Sequence, residues 1–181
     1  RHICVFSIEK LMKSKENLVF LGMMGSGKTS VGLIVSKKLN FDFIDIDNEI
    51  EKKLGTKISK IFEHHGETYF RIIEEEVTLE MLQKKQCVIS LGGGAFLNTN
   101  IKKEILKNHL SFWLNWKYQT LIRRIKDSSK RPLASKATKN ELFELIKKRS
   151  NIYSKALYKI DCDNYSKNEI VKKVLKIYEK H

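Results

Sequence analysis

The sequence predicts an α/β fold, a three-layer domain in which a five-stranded, mainly parallel sheet is flanked by helices. Short apolar runs that suit buried strands alternate along the chain with stretches of helical periodicity, as is typical of parallel sheets. The chain has 181 residues, the length of one ordinary domain. Its 41% hydrophobic and 31% charged residues exclude disordered, collagen-like and coiled-coil proteins.

The first elements are predicted from the periodicity of apolar residues. The apolar run 18–21 suits a buried strand and leads directly into a glycine-rich segment. Apolar residues at helical spacing over 28–39 predict an amphipathic helix. The alternating segment 41–47 predicts the second strand, and helical segments are expected at 48–54 and 58–64.

The second half of the chain continues this alternation. Thr-x-x-Glu and Ser-x-x-Glu sequences at 138–141 and 166–169 are typical of capping boxes and predict helix starts. The polar stretch 127–137 contains the only proline, Pro132, and is predicted to be a mobile loop. The remaining predicted elements are helices over 66–85, 101–108, 118–126 and 138–149, strands over 87–91, 110–114 and 157–162, and a last helix from 166.

Other features limit the domain organisation and the cellular setting. We assign 17–181 to a single domain and 1–16 to an N-terminal extension or an expression-vector remnant. No apolar run approaches the roughly 18–20 residues that cross a bilayer, and no secretory signal is recognised, so we predict a cytoplasmic protein. Cys4, Cys87 and Cys162 are far apart in sequence and are interpreted as reduced, buried thiols.

The net charge of +14 raises the question of an anionic partner. The lysines are spread along the chain, and no zinc finger, RNP-like motif or basic stripe with interleaved aromatic residues accompanies them. We interpret the charge as a solvated lysine-rich surface and predict no nucleic-acid partner.

Arginine is scarce, so each internal arginine is a candidate for a site that needs a planar fork of donors. These residues are Arg71, Arg123, Arg124, Arg131 and Arg149.

Residues 22–29 read G-M-M-G-S-G-K-T and match the phosphate-binding pattern G-x-x-x-x-G-K-[ST]. Glycines let main-chain N–H groups surround phosphate oxygens, and the following helix N-terminus adds a favourable dipole. Lys28 is expected to reach the β- and γ-phosphates, and Thr29 to supply a hydroxyl to Mg²⁺. The alternative is a glycine turn that binds no nucleotide. The predicted ATP-binding residues of this loop are Gly25, Ser26, Gly27, Lys28, Thr29 and Ser30.

A P-loop alone leaves ATPases, GTPases, nucleotide kinases and metabolite kinases open. The absence of an N-K-x-D motif disfavours a GTPase, and the chain length disfavours large motor or helicase ATPases. A small kinase is the remaining interpretation.

Asp45 and Asp47 end the predicted second strand two residues apart, so both should point to one face. One could hold Mg²⁺ through water while the other faces an acceptor hydroxyl, or both could simply cap the following helix.

Six motifs together resemble the shikimate kinase family over about 18–180. They are the P-loop, D-I-D at 45–47, G-E-T-Y-F-R at 66–71, S-L-G-G-G at 90–94, R-P-L at 131–133 and K-R-S-N-I-Y at 148–153. The resemblance implies a P-loop kinase fold and transfer of the γ-phosphoryl of ATP to the 3-hydroxyl of shikimate, in aromatic amino acid (chorismate) biosynthesis. It implies ATP and shikimate as partners and Mg²⁺ as cofactor, and we expect a monomer.

The resemblance also implies roles for individual residues. Lys28 would stabilise the transferring phosphoryl group, together with Arg131 from a lid over about 127–138. Thr29 would coordinate Mg²⁺ directly and Asp45 through water. Asp47 would hold the shikimate hydroxyls and act as the base.

The remaining implied roles concern the shikimate carboxylate. Arg71 and Arg149 would clamp it, and Glu74 would orient Arg71. The substrate-binding glycines would be Gly92, Gly93 and Gly94. Taken alone, Arg71 could equally form a helix-face ion pair with Glu74 or Glu75, and the glycine run could be an ordinary tight turn.

Several residues are given no role in the site. Arg123 and Arg124 are expected on a helix surface. The adjacent histidines 64 and 65 lack metal-ligand spacing and are expected on the surface. Trp113 and Trp116 are interpreted as core and edge packing.

The chain departs from the family pattern at two places. Asn151 stands where the family often has a proline. The segment 163–165 after the last strand lacks the basic residue that the family often carries near the adenine, so Tyr165 is only a candidate for stacking there. The alternatives are another small-metabolite P-loop kinase, such as a gluconate or nucleoside-monophosphate kinase, and a nucleic-acid-binding module that retains a P-loop.

Overall fold

A sheet of five parallel strands forms the centre of the molecule, which confirms the predicted fold class. The structure is a computed structural model that describes residues 17–126 and 137–181. Across the sheet the strand order is β2-β3-β1-β4-β5, and every neighbouring pair is parallel. The strands are β1 (Leu18–Leu21), β2 (Asp42–Asp45), β3 (Cys87–Ser90), β4 (Leu110–Asn115) and β5 (Tyr158–Asp161).

Helices alternate with these strands along the chain. In the two described ranges they are α1 (Lys28–Leu39), α2 (Ile46–Leu54), α3 (Ile58–Leu82), α4 (Thr99–Asn108), α5 (Tyr118–Lys126), α6 (Lys139–Tyr153) and α7 (Lys167–Tyr178). A short 3-10 helix, Ala95–Leu97, follows the glycine run. Both predicted capping boxes are present: Thr138 and Glu141 cap α6, and Ser166 and Glu169 cap α7.

Two predicted boundaries are wrong. The sequence predicts a second strand that reaches 47, but β2 ends at Asp45, whose side chain accepts a hydrogen bond from Asn48 N and caps α2. The helices predicted at 58–64 and 66–85 are confirmed as the two parts of α3, which a kink at Gly66 (φ 76°, ψ 177°) separates, but the second part ends at Leu82 and not at 85. Glycine tolerates this backbone conformation because it has no Cβ.

Apolar clusters on the two faces of the sheet join the layers. On one face, α1 and α7 pack against the sheet through residues such as Val35 and Val171, together with Phe20 and Phe112 from the strands. The helices α2 to α6 cover the other face, where the buried cluster includes Ile50, a residue of α2. The layers are therefore helix, sheet and helix, as predicted.

The topology creates a crevice at the carboxyl ends of the central strands. β1 and β3 are neighbours in the sheet, yet the helices that follow them, α1 and α4, lie on opposite faces. Ligands of open α/β sheets bind where the connections diverge in this way. The P-loop follows β1 and the glycine run follows β3, so both line this crevice.

Two other predictions have mixed outcomes. Cys87 and Cys162 are buried free thiols, as predicted, and burial raises the pKa of Cys162 to about 12. Cys4 and the predicted extension 1–16 lie outside the described residues. Within the described residues, no helix has the length and apolar character needed to cross a bilayer.

Candidate active site

The loop between β1 and α1 presents main-chain groups to the crevice. Gly25 and Gly27 have φ values of 79° and 89°, in the left-handed region that favours glycine. Gly27 is the N-cap of α1, and no side chain in the described part of the chain caps this helix. Its first N–H groups and its dipole therefore form the kind of site that binds a phosphate.

The side chains of the loop fit this arrangement. Lys28 is 8% exposed, and its Nζ donates to Gly22 O at 2.9 Å and to Met23 O at 3.0 Å. Ser30 Oγ donates to Gly27 O at 3.1 Å. Ser26 Oγ is buried and has no hydrogen-bond partner among the residues that the structure describes. The loop thus places one ammonium group and one unsatisfied hydroxyl within a phosphate-binding turn.

Thr29 and Asp45 are brought together across the crevice. Thr29 Oγ1 donates to Asp45 Oδ2 at 2.7 Å, while Asp45 Oδ1 accepts from Asn48 N at 3.4 Å. Asp45 therefore performs the capping role that the sequence left open as an alternative and also faces the P-loop hydroxyl. Hydroxyl and carboxylate oxygens are the hard ligands that Mg²⁺ prefers, so this pair suits the predicted cation.

The predicted geometry of Asp47 is wrong, although its location in the crevice is confirmed. Asp47 lies in the first turn of α2, not on a strand face shared with Asp45. The helix begins early because Asp45 caps it, and the turn brings the Asp47 carboxylate to the same cavity. A Cβ built on Gly92 would come within 2.9 Å of Asp47 Oδ1, so the carboxylate lies against the glycine turn.

The glycine turn after β3 gives two arginines room to converge. A Cβ on Gly94 would come within 2.5 Å of Arg71 Nη1, and a Cβ on Gly93 would come within 3.5 Å of Arg149 Nη1. The guanidinium groups of α3 and α6 therefore lie against adjacent residues of one turn. Gly94 must lack a side chain at this position because the guanidinium occupies the space.

Carboxylates fix the orientation of Arg71. Its Nη1 donates to Glu74 Oε2 at 2.6 Å, and its Nε and Nη2 donate to Glu67 Oε1 at 3.2 and 3.0 Å. The helix-face ion pair that the sequence offered as an alternative therefore exists, and it coexists with a position in the cavity wall. Burial acts to lower the pKa of Arg71, but Glu74 and Glu67 outweigh it and the pKa is raised.

Glu74 is the buried carboxyl of the cluster, with its side chain 3% exposed. Burial raises its pKa, and the nearby charge of Asp47 adds to this effect, whereas Arg71 and Arg149 oppose it. Arg149 Nε is buried and has no hydrogen-bond partner among the described residues. A buried N–H donor without a partner is costly, and an anionic ligand in the cavity would relieve that cost.

Sequence reasoning gave Tyr153 no role, although its motif was noted. This buried residue ends α6, and its hydroxyl donates a short hydrogen bond to Gly93 O. Burial raises the pKa of Tyr153 to about 12, so the hydroxyl keeps its proton at neutral pH. Tyr153 therefore links the helix of Arg149 to the glycine turn. The signal available in the sequence is that Arg149 and Tyr153 are four residues apart, a spacing that places both side chains on one helix face.

The expectation that Arg124 lies on a helix surface is wrong, whereas Arg123 is exposed as predicted. Arg124 Nη1 donates to Gly25 O at 3.4 Å, and its Cζ lies 3.7 Å from the ring centroid of Trp116. Trp116 Nε1 in turn donates to Ser26 O at 2.9 Å. Arg124 thus reaches the P-loop from α5, a contact across 99 residues of sequence that periodicity does not reveal.

Other predicted residues have simpler outcomes. Arg131, Pro132 and positions 127–136 of the predicted lid lie outside the described residues. The two adjacent histidines are exposed on α3, as predicted. Asp163 accepts hydrogen bonds from Lys117 N, just before α5, and from the Thr120 side chain in its first turn. Lys173 Nζ lies 4.1 Å from the centroid of the Tyr165 ring.

The cavity formed by these groups has a volume of about 170 Å³. Lys28, Arg71 and Arg149 supply positive charge to its wall, and Asp45, Asp47 and Glu74 supply negative charge. Its volume is below the roughly 300–1,000 Å³ of sites for drug-sized ligands, so it suits a small acceptor.

Comparisons with known proteins agree with this geometry. Residues 24–179 match the family model described as shikimate kinase. A shikimate kinase from Thermodesulfovibrio yellowstonii is 41% identical over 166 residues, covering 91% of this chain and 96% of that protein. One from Persephonella marina is 39% identical over 159 residues, covering 88% of this chain and 96% of that protein.

Solved structures give the same result. The shikimate kinase from Acinetobacter baumannii in complex with shikimate superposes with a TM-score of 0.86 and 29% identity, covering 94% of this chain and 97% of that chain. A gluconokinase from Sinorhizobium meliloti shares the fold, with a TM-score of 0.59 and 15% identity over 91% of this chain and 92% of that chain. A likeness this distant supports the fold alone, whereas the sequence matches are specific, and the chain belongs to the shikimate kinase family.

Proposed function

We propose that this enzyme transfers the γ-phosphoryl group of ATP to the 3-hydroxyl of shikimate. The observation that carries the proposal is the convergence of Arg71 and Arg149 on adjacent glycines, next to a phosphate-binding loop in the same crevice. Two guanidinium groups suit a carboxylate because their planar donors can bind it in pairs. The P-loop supplies the site for the nucleotide phosphates.

The acceptor side selects a small hydroxylated acid. Arg71 and Arg149 would bind the shikimate carboxylate, with N–H groups of the glycine turn Gly92, Gly93 and Gly94 nearby. Glu74 and Glu67 keep the Arg71 guanidinium from rotating, so less conformational entropy is lost when the substrate binds. The cavity volume of about 170 Å³ favours a single-ring acid over a nucleoside monophosphate, which carries a base, a sugar and a phosphate.

Phosphoryl transfer requires one new P–O bond and the loss of one. The 3-hydroxyl oxygen attacks the γ-phosphorus, the bond to the β–γ bridging oxygen breaks, and ADP leaves. Asp47 is placed to accept the hydroxyl proton as this bond forms. Lys28 would neutralise charge on the transferring group, and Arg131 would contribute a second positive charge.

Mg²⁺ is part of the proposal. Thr29 Oγ1 and Asp45 Oδ2 would hold it, the carboxylate through water, and both oxygens already face each other at 2.7 Å. When bound, Mg²⁺ supplies charge neutralisation for the phosphate oxygens. We further propose that the enzyme acts in the cytoplasm as a monomer.

A coupled assay of ADP release with matched acceptors tests the proposal. Shikimate, gluconate and AMP are compared at equal concentrations, and ³¹P NMR identifies the phosphorylated hydroxyl. We expect kcat/KM for shikimate to exceed that for the others by at least about 100-fold, because open-chain gluconate has no ring to fix its hydroxyls relative to its carboxylate and AMP is too large for the cavity. The variant Lys28→Ala controls for contaminating kinases and should show no turnover. A preference for gluconate or AMP would refute the proposal.

A further inference from the structure

Trp116 lies where β4 ends and before α5 begins, outside the cavity that binds the acceptor. It is half-buried and packs against the apolar clusters on both faces of the sheet. This packing limits the orientations that its ring can adopt. The interpretation as edge packing is therefore correct for its carbon atoms but leaves its polar contacts unexplained.

We propose that Trp116 is a positioning residue for nucleotide binding, which orients both the phosphate-binding loop and the guanidinium of Arg124. The inference rests on the proposed use of ATP. It concerns the nucleotide side of the crevice alone, and it assigns a role to a residue that lies outside the acceptor cavity and acts through the loop and Arg124.

The first contact fixes one peptide group of the loop. Trp116 Nε1 donates to Ser26 O at 2.9 Å. The C=O and N–H of a trans peptide point in opposite directions, so this bond directs the Gly27 N–H away from the indole. Gly27 is the N-cap of α1, where an N–H group can bind a phosphate oxygen. The indole therefore holds a phosphate-binding peptide in one orientation before the nucleotide arrives.

The second contact orients a positive charge. Arg124 Cζ lies 3.7 Å from the centre of the Trp116 ring, within the range of a cation–π interaction. The same guanidinium donates to Gly25 O at 3.4 Å. Trp116, Arg124 and the loop thus contact one another pairwise. Removing the ring would free a long side chain whose charge is otherwise held beside the phosphate site.

The main chain around Trp116 is anchored from a third direction. Asp163, in the segment after β5, accepts hydrogen bonds from Lys117 N at 2.6 Å and from Thr120 Oγ1 at 2.8 Å. These bonds fix the start of α5 relative to the sheet. The indole is therefore attached to a rigid support, which a positioning residue requires.

Calorimetry of Mg²⁺–ADP binding tests the inference without any acceptor. We expect Trp116→Leu to raise the Kd for ADP about tenfold, because both the cation–π contact and the hydrogen bond are lost. Trp116→Phe keeps an aromatic face for Arg124 and loses only the indole N–H, so its Kd should rise about threefold. The KM for shikimate should change by less than about twofold in both variants.

A double-mutant cycle separates the two contacts. In an Arg124→Ala background, Trp116→Leu should raise the ADP Kd only about threefold, since the cation–π part is already gone. Arg123→Ala, the exposed neighbour on the same helix, is the matched control and should leave the ADP Kd unchanged. Full additivity of Trp116→Leu and Arg124→Ala would overturn the coupling.

Thermal unfolding distinguishes positioning from structural support. A structural role alone would lower Tm and leave the ADP Kd of the folded fraction unchanged, which would overturn the proposal. If Trp116→Leu does not fold, Trp116→Phe and Arg124→Lys carry the test, and both should weaken ADP binding. The variants could show the expected increases in ADP Kd while the wild-type enzyme does not phosphorylate shikimate. That result would refute the proposed acceptor but not the role of Trp116.

Discussion

The two ends of the parallel sheet use buried polar groups in opposite ways. At the amino end, Asn17 is fully buried and its amide is satisfied by Leu82 O, Lys84 O and Cys87 N. At the carboxyl end, charged groups converge, and Arg149 Nε stays unsatisfied within the described residues. A buried polar group that its own chain satisfies stabilises the fold, whereas convergent groups that it leaves unsatisfied indicate a ligand.

This comparison predicts that variants at the carboxyl end change activity with little effect on stability. Variants at the amino end should do the reverse. Activity per folded molecule and the free energy of unfolding must therefore be measured for every variant. A variant that strongly changes both the activity and the free energy of unfolding would contradict this difference between the two ends of the sheet.

The largest effect is expected for Asp47→Asn at the carboxyl end. The amide keeps the size of the side chain but cannot accept the hydroxyl proton, so kcat should fall by about 10²–10⁴-fold. The ADP Kd should stay within about twofold, because Asp47 lies on the acceptor side. Steady-state kinetics and calorimetry measure the two quantities.

The control for this variant is Asp42→Asn, at the amino end of the strand that precedes α2. Asp42 is exposed and begins β2, so the substitution should leave kcat unchanged. A near-normal kcat for Asp47→Asn would remove its proposed role as the base.

Asn17→Ala should produce the largest loss of stability. It deletes three hydrogen bonds that join β1, the end of α3 and the start of β3, and leaves buried partners unsatisfied. We expect the free energy of unfolding in urea to fall by about 2–4 kcal/mol. The kcat/KM of the folded enzyme should be unchanged.

The exposed Asn168 of α7 supplies the matched control. Asn168→Ala should change the free energy of unfolding by less than about 0.5 kcal/mol. If Asn17→Ala impaired kcat/KM as strongly as stability, the amino end would have to be included in the active site.

Arg71→Lys tests whether the carboxyl end needs geometry as well as charge. Lysine keeps the charge but cannot bind a carboxylate with two parallel donors while also contacting Glu67 and Glu74. The KM for shikimate should rise about 10–100-fold, corresponding to about 1.4–2.7 kcal/mol, with the KM for ATP changed far less. Arg123→Lys is the control and should leave both KM values unchanged. Equal effects of Arg71→Lys on the two substrates would contradict the proposed clamp.

Much of the fold and of the site follows from local sequence, for physical reasons. The P-loop is one continuous segment in which glycine positions, a lysine and a hydroxyl have fixed spacing, so the sequence suffices to find it. The scarcity of arginine singles out five internal positions, and the resemblance to the family motifs selects Arg71 and Arg149 among them. Strand and helix periodicity located every strand to within a few residues.

The parts of the site that the sequence does not predict depend on contacts between segments that are distant along the chain. The sequence predicts Asp47 on a strand, whereas the Asp45 cap starts α2 before it and places Asp47 in the first helical turn. Trp116 and Ser26 are 90 residues apart, and Tyr153 and Gly93 are 60 residues apart. Their side chains carry no local pattern that indicates these partners. Only the packing of α5 and α6 beside the crevice brings them together.

His109 is the exception to the comparison and carries the smallest predicted effect. It is buried at the amino end, yet neither ring nitrogen has a hydrogen-bond partner among the described residues. Glu104 Oε1 lies 3.7 Å from Nε2. Burial lowers the pKa of His109, with a further decrease from Lys85, and these effects outweigh the opposing effect of Glu104. The imidazole is therefore neutral in the folded protein at neutral pH.

The sign of the pH dependence follows from this lowered pKa. In the unfolded chain the imidazole takes up a proton near its ordinary pKa of about 6.5, before the folded protein does, so stability falls as pH decreases through that value. His109→Leu should remove this component, and its free energy of unfolding in urea should decrease less than that of the wild type between pH 7.5 and 5.5. The difference should be well below the effect of Asn17→Ala. His64→Leu, at an exposed position, should keep the wild-type slope. Parallel curves for wild type and His109→Leu would mean that the fold satisfies this imidazole after all, as it satisfies Asn17.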